Sequence, residues 1–290
     1  MNYPVPQVSA VPAHPDREPS IGHILVELGK LTPDDIVRVL RLQKQLGLRF
    51  GEVAQQLGLI NAFDVQQVLA RQFKYPYLQS GQGPYPLELG AAYRPFTAEV
   101  DVLRALRTEL MLRWFGKGHK ALAIAGVSPR VGNSLLVANL AVLFSQMDRR
   151  TLIVDANMRD PRQHKIFGLK NGQGLSDILA GRAGMETVVK DGLFANLSVL
   201  QCGTLPPNPE ELIGRSAFSV LNDSITRQFD VVLYDTPALT HSDAIALAAR
   251  LGGVVLAVQK NKTRLNDVTR IKEQILGAGA DIVGSVLLDV

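Results

Sequence analysis

Apolar positions follow two different regimes along the chain. From Pro19 to about Leu78 they recur at helical spacing, and the pattern repeats. The first copy begins Ser20-Ile21-Gly22-His23-Ile24-Leu25-Val26-Glu27-Leu28-Gly29-Lys30-Leu31 and runs through Ile36 and Leu40 to Gln43. The second begins Arg49-Phe50-Gly51-Glu52-Val53-Ala54-Gln55-Gln56-Leu57-Gly58-Leu59-Ile60 and runs through Val65 and Leu69 to Gln72. Each 24-residue copy has glycine at its third and tenth positions and glutamine at its last, and Lys44 to Leu48 separate the two. The pattern predicts, in each copy, a short helix ended by a glycine cap and then a second amphipathic helix. Thr32 and Asn61 stand where the N-cap of that second helix belongs. Two copies predict a small all-α domain of paired helical hairpins over 20–78.

Beyond a helix expected from about Thr97 to Trp114, the regime changes to short continuous apolar runs. These are Ala121–Ala125, Leu152–Val154, Leu197–Gln201, Val231–Tyr234, Val254–Val258 and Ile282–Leu288. Helical stretches separate them: Ser134–Gln146, Ser216–Arg227, Ser242–Arg250 and Arg264–Leu276. Strands buried on both faces read as continuous apolar runs, so this order predicts an α/β domain with a doubly wound, mostly parallel sheet over 97–290. Ligands of such sheets bind outside the carboxyl ends of the strands. Between the two regimes, Gln79 to Phe96 carries Gly81, Gly83, Pro84, Pro86, Gly90 and Pro95 and reads as an interdomain linker. Residues 1–19, proline-rich and without an apolar core, read as a disordered lead-in that is neither signal peptide nor anchor.

Composition narrows the function classes. Hydrophobic residues at 46% and charged residues at 20% of 290 suit two globular domains. The net charge of +4 is too small and too scattered to indicate nucleic-acid binding. One cysteine, Cys202, excludes an internal disulfide framework and a structural zinc site, and suits a reducing, cytoplasmic compartment. No apolar run approaches the ~20 residues that span a bilayer. His119, His164 and His241 show no metal-ligand spacing.

The candidate chemistry lies where the first strand of the α/β domain ends. Gly126-Val127-Ser128-Pro129-Arg130-Val131-Gly132-Asn133-Ser134 leads straight into a helix, the arrangement that cups phosphates with backbone N–H groups. Ser128, Arg130, Gly132, Asn133 and Ser134 are therefore the candidate nucleotide-binding residues. A triphosphate loop ends in Gly-Lys-Ser/Thr, with lysine on the β- and γ-phosphates and the hydroxyl on Mg²⁺. Here the hydroxyl is Ser134, and Asn133 stands where lysine is expected. Two further apolar strands end in Asp155 and Asp235, which with Ser134 make a candidate metal set and a candidate, vestigial, catalytic pair.

Together these residues resemble the cytoplasmic domain of the bacterial tyrosine autokinases of the MinD/Mrp-like P-loop class. Gly126–Ser134 falls on their Walker A loop, Val154–Arg159 on Walker A′ and Leu233–Pro237 on Walker B. Gly174–Gly181 and Gly203–Leu212 also match, and Asp101, Arg104 and Arg107 resemble the helix by which family members assemble rings. The resemblance implies ATP or ADP with Mg²⁺ as cofactor, a homo-oligomer, and a membrane chain-length-determinant protein as partner in exopolysaccharide export. It also exposes departures. Besides Asn133, the second Walker A′ acid is Asn157, the adenine-contacting asparagine of the last strand is Leu288, and no acceptor tyrosine follows Tyr234. Losing the lysine and a metal carboxylate costs about 3 kcal/mol of transition-state stabilisation each, roughly a hundredfold in rate. The expectation is thus a degenerate, regulatory kinase relative. The alternative is an active autokinase using Arg130 for the missing lysine and Tyr85, Tyr93 or a partner's tyrosine as acceptor.

The N-terminal repeat resembles the N-terminal domain of type II secretion and pilus-assembly ATPases, some of which bind cyclic di-GMP through tandem Arg-Leu-Gly-x-x-Leu-x-x-x-Gly motifs with a distant Leu-x-x-Gln. On these residues the motif falls on Gly22, Leu25, Gly29, Leu40 and Gln43, and on Arg49, Gly51, Gly58, Leu69 and Gln72. Ser20 replaces the first arginine and Phe50 the second leucine. The repeat is either a cyclic dinucleotide site or a protein-docking surface.

Overall fold

The computed structural model describes residues 20–72, 77–78 and 82–289, without the side chains of 71 and 72. It divides into two compact units between Pro76 and Tyr77. The first unit contains α1 (Ile21–Glu27), α2 (Pro33–Leu46), α3 (Phe50–Gln56) and α4 (Ala62–Gln72). Both glycine caps adopt the left-handed conformation, φ 66° at Gly29 and 67° at Gly58, which a side chain disfavours. The next helix starts at once in each copy. Thr32 Oγ1 accepts from the Asp35 N–H at 3.2 Å, and Asn61 Oδ1 accepts from the Asp64 N–H at 2.9 Å. Ile24, Leu25, Leu31, Val39, Val53, Ala54, Ile60 and Val68 form the unit's core.

In the second unit the elements run α5 (Gly90–Tyr93), α6 (Ala98–Arg113), β1 (Ala121–Gly126), α7 (Asn133–Ser145), β2 (Thr151–Asp155), α8 (Gln163–Ile166) and α9 (Leu175–Leu179). They continue with β3 (Val189–Lys190), β4 (Leu197–Leu200), α10 (Pro209–Gly214), α11 (Ser216–Gln228), β5 (Val231–Asp235), α12 (Ser242–Leu251), β6 (Gly253–Gln259), α13 (Leu265–Gly277) and β7 (Asp281–Leu288). The seven strands lie in the order β3-β4-β2-β5-β1-β6-β7, all parallel except the short edge strand β3. This is the expected α/β class. β1 shows why its run is continuous rather than alternating. Leu122 and Ile124 pack on the face covered by α5, α6 and α7, while Ala121, Ala123 and Ala125 pack on the face covered by α9 to α13. Among the described residues no helix is long and apolar enough to cross a membrane.

The linker expected over 79–96 is corrected. Residues 79–81 lie outside the described residues, but 82–96 packs into the second unit's core. Tyr85, Leu89, Ala91, Ala92 and Tyr93 are all at most 7% exposed. Tyr85 Oη donates to Asp191 at 2.7 Å, Asn139 of α7 accepts from the Ala91 N–H at 2.8 Å, and Gln146 Nε2 donates to the Ala91 carbonyl at 3.2 Å. The glycines and prolines that suggested flexibility serve close packing instead. Pro84 lies where a Cβ on Gly168 would go, and Gly90 sits against Val100. Leu78, expected in the helical domain, also belongs to this core, and its N–H donates to the Ala92 carbonyl at 2.8 Å.

Candidate phosphate-loop site

β1, β5 and β2 are neighbours, so their carboxyl ends bring the candidate residues together at the middle of the sheet. The loop after β1 is held tightly. Gly126 accepts from the Leu239 N–H at 2.8 Å, and a Cβ on Gly126 would come within 2.7 Å of the Ser128 carbonyl. Arg130 at φ 60° and Gly132 at φ 89° take left-handed conformations that turn the backbone toward α7. α7 is 13 residues long, and the N–H groups of its first turn have no intrahelical partner. Loop and helix start thus provide the donors and positive dipole end that suit a phosphate.

Two neutral amides, those of Asn133 and Gln163, hold the strand-end carboxylate of Asp235 beside this cradle. Asn133 Nδ2 donates to Asp235 Oδ1 at 2.8 Å and to the Thr236 carbonyl at 3.0 Å. Gln163 Nε2 donates to Asp235 Oδ2 at 2.8 Å and to the Ser134 carbonyl at 2.9 Å. Asp155, paired with Asp235 across β2 and β5, accepts backbone N–H groups from Asn157, Arg162 and Gln163 at 3.3, 3.0 and 2.9 Å. Both carboxylates are 0% exposed. Burial pushes the Asp155 pKa well above the carboxylate range, and the neighbouring Asp235 charge adds to it. Burial also lifts Asp235, to about 6, against hydrogen bonds from Gln163, Ser134 and Asn133 and the charge of Arg162.

Each of the four oxygens of Asp155 and Asp235 accepts at least one protein N–H group, which holds both carboxylates in place at the strand ends. Among the described residues, Gln163 Oε1 is a buried acceptor left without a hydrogen-bond partner beside the pair.

Gln163 was not singled out from the sequence. It opens a four-residue helix that no periodicity marks, so its place between Asp235 and Ser134 is legible only from the fold. Asn157 forms a turn, its Oδ1 accepting from the Arg159 and Asp160 N–H groups at 3.4 and 3.1 Å. Ser128, Arg130 and Asn133 line a cavity of about 390 Å³ with Asn157, Arg159 and His241. Tyr85 and Tyr93, the acceptors of the autokinase alternative, are buried at 7% and 4% exposure with their hydroxyls bonded to Asp191 and the Gln82 carbonyl. That alternative is corrected for both residues, since a phosphoacceptor hydroxyl has to reach solvent.

The oligomer candidates lie on α6. Arg104 pairs with Asp101 at 2.7 Å, and Arg107 Nη1 donates to the Leu143 carbonyl of α7 at 3.1 Å. In the first unit, Leu25 is core, and Gly22 and Gly51 are buried against Phe50 and Val65. Gly29 and Gly58 are the caps. Leu40 is 45% exposed, Arg49 is exposed, and Gln43 and Leu69 are half-buried, while the Gln72 side chain lies outside the described residues.

A central parallel sheet with a phosphate loop and two strand-end aspartates defines a P-loop protein, and sequence relatives specify which kind. The chain belongs to the bacterial tyrosine-protein kinase family. It is 33% identical over 195 residues to CapB of Staphylococcus aureus, assigned as a tyrosine-protein kinase, covering 67% of this chain and 86% of CapB. It is 30% identical over 198 residues to the tyrosine-protein kinase YwqD of Bacillus subtilis, covering 68% of this chain and 84% of YwqD. Longer relatives are matched only in part: the match covers 24% of the tyrosine-protein kinase Wzc of Salmonella typhimurium. Among solved structures, the chimerical protein CapA2B2 superposes with a TM-score of 0.66 at 32% identity over 76% of this chain and 97% of that one. The kinase domain of the Escherichia coli tyrosine kinase ETK gives 0.68 at 28% identity over 75% and 86%. The septum site-determining protein MinD of Pyrococcus horikoshii, at 0.50 and 23% identity, shares the fold. No protein-family model matches the sequence.

Proposed function

We propose that the chain is a catalytically silent relative of the bacterial tyrosine kinases that keeps a phosphate cradle and regulates exopolysaccharide assembly. The Asn133 amide carries this reading: its N–H groups bond Asp235 and the Thr236 carbonyl, at the loop position that supplies an ammonium in a working P-loop. Asn157 supports it, because a turn-forming amide replaces a carboxylate that would help to hold magnesium. ATP or ADP is the ligand that Ser128, Arg130, Gly132 and Ser134 suit, with Ser134, Asp155 and Asp235 as remnants of the metal set. The family resemblance supplies a membrane chain-length-determinant protein as partner, which would bring the chain to the inner membrane from the cytoplasmic side. Asp101, Arg104 and Arg107 are the contacts proposed for a homo-oligomer. The test is γ-phosphate turnover and tyrosine phosphorylation by the purified full chain. Turnover that Asp235→Asn abolishes would overturn the reading.

The helical unit is proposed as the sensory module, with cyclic di-GMP as its ligand. Support comes from an exposed stripe of α2 that mixes apolar and basic side chains: Val37 at 56% and Leu40 at 45% exposure, beside exposed Arg41 and Lys44. A flat dianion with aromatic bases matches such a face. Calorimetric titration with cyclic di-GMP decides it, and no heat at tens of micromolar retires the sensor in favour of protein docking.

A further inference from the structure

Beside the loop cavity, and sharing Arg159 and Asp160 with it, lies a larger one of about 590 Å³. Arg159, His164 and Lys165 line one part of it, and Gln201, Gly203 and Thr204 another. Its size suits a phosphorylated small molecule. Arg159 belongs to the lining of both cavities and is fixed in place. Its Nε donates to the Asp243 carboxylate at 3.0 and 3.3 Å, and Asp243 is 0% exposed. That clamp orients the guanidinium through Nε and leaves both Nη groups without a protein partner among the described residues. An oriented guanidinium fork is the group best matched to the oxygens of a phosphate.

The rest of the lining agrees. Lys165 is exposed and has no ion-pair partner among the described residues, so its ammonium is available. Burial, with the Lys165 charge next to it, lowers the His164 pKa, as expected of a cationic wall without its anion. Asp160 is the single acid among the lining residues, and it is exposed.

We infer that this cavity is a second anion site, separate from the phosphate loop, which takes a phosphate monoester or diphosphate between Arg159, His164 and Lys165. The site does not depend on whether the chain is catalytically silent. The test is calorimetric titration of the full chain with inorganic pyrophosphate, with thermal melting to confirm that each variant is folded. The wild type is expected to bind. The double variant His164→Ala/Lys165→Ala should bind at least tenfold more weakly, and Arg159→Lys should weaken binding because it keeps the charge and loses the fork. No heat up to millimolar pyrophosphate overturns the site. So does weakening by Arg130→Ala as large as that of the double variant, which assigns the anion to the loop cavity. Phenyl phosphate and AMP, titrated against the same variants, tell an aryl phosphate from a nucleotide as the source of the group.

Discussion

Asn133→Lys returns an ammonium to the position where the amide now bridges Asp235 and the Thr236 carbonyl. The substitution removes the hydrogen bonds at 2.8 and 3.0 Å and places a cation beside two carboxylates that are 0% exposed. If the ammonium reaches a bound phosphate, one charge-assisted hydrogen bond contributes about 1.5–3 kcal/mol, roughly a tenfold to hundredfold gain in ADP affinity. If it turns to the carboxylates instead, the gain appears as stability, because Asp235, now raised to about 6, falls back toward its ordinary value. The sign is fixed by that shift. A carboxyl raised on folding loses stability as pH rises from about 4 through 6, so the wild type carries a penalty at pH 7 that the variant removes. The assay is ADP titration calorimetry paired with thermal melting at pH 5 and pH 7.5. Tighter ADP binding, or a melting temperature that rises more at pH 7.5 than at pH 5, is expected. An ADP affinity within twofold of wild type together with unchanged melting at both pH values refutes the argument.

Other outcomes test the frame around the site. Asp177 is pushed up by burial but drawn down to about 2 by the Thr204 and Gly174 N–H groups and Arg182. A lowered carboxyl stabilises the fold above pH ~4 and loses that effect as pH falls through 2. Asp177→Asn should therefore cost about 2 kcal/mol at pH 7, with the two melting curves converging near pH 2. A Cβ on Gly174 would overlap the Gln201 carbonyl and come within 2.6 Å of the Gly203 N, so Gly174→Ala should destabilise by about 3 kcal/mol or more in denaturant unfolding. Tyr85→Ala, in the segment first read as a linker, should cost about 3–5 kcal/mol, because the ring packs on Phe167 and Phe194 at 5.6 and 6.2 Å. Thr32→Ala should remove about 1 kcal/mol from the helical unit through its lost N-cap, measurable as earlier melting of that unit.

Much of this architecture is legible in the sequence because local rules and burial agree. Continuous apolar runs mark six of the seven strands, and only the two-residue antiparallel β3, exposed at the sheet edge, carries no such signal. The glycines at 29 and 58 and the caps at 32 and 61 mark where the chain turns, since each satisfies a local backbone requirement. The candidate site is legible as far as the strand ends go: Ser134, Asp155 and Asp235 converge because three adjacent strands finish there. Gln163 and the clamp of Arg159 on Asp243 are long-range pairings, 72 and 84 residues apart in sequence, and no spacing rule reaches them. The segment 82–96 misleads for a different reason. Glycine and proline density signals a turn-rich backbone, and such a backbone serves equally in a linker and in a tightly wrapped strap.

That strap decides where this protein can be cut. A fragment beginning at Thr97, which the helical pattern alone recommends, would strip Tyr85, Leu89 and Tyr93 from the sheet face and leave the Asn139 amide facing water in the middle of α7. Because α7 opens at Asn133, its first turn would be measured on a loosened helix, and weak nucleotide affinity would then report the truncation. Expression of the second unit alone should begin at or before Tyr77.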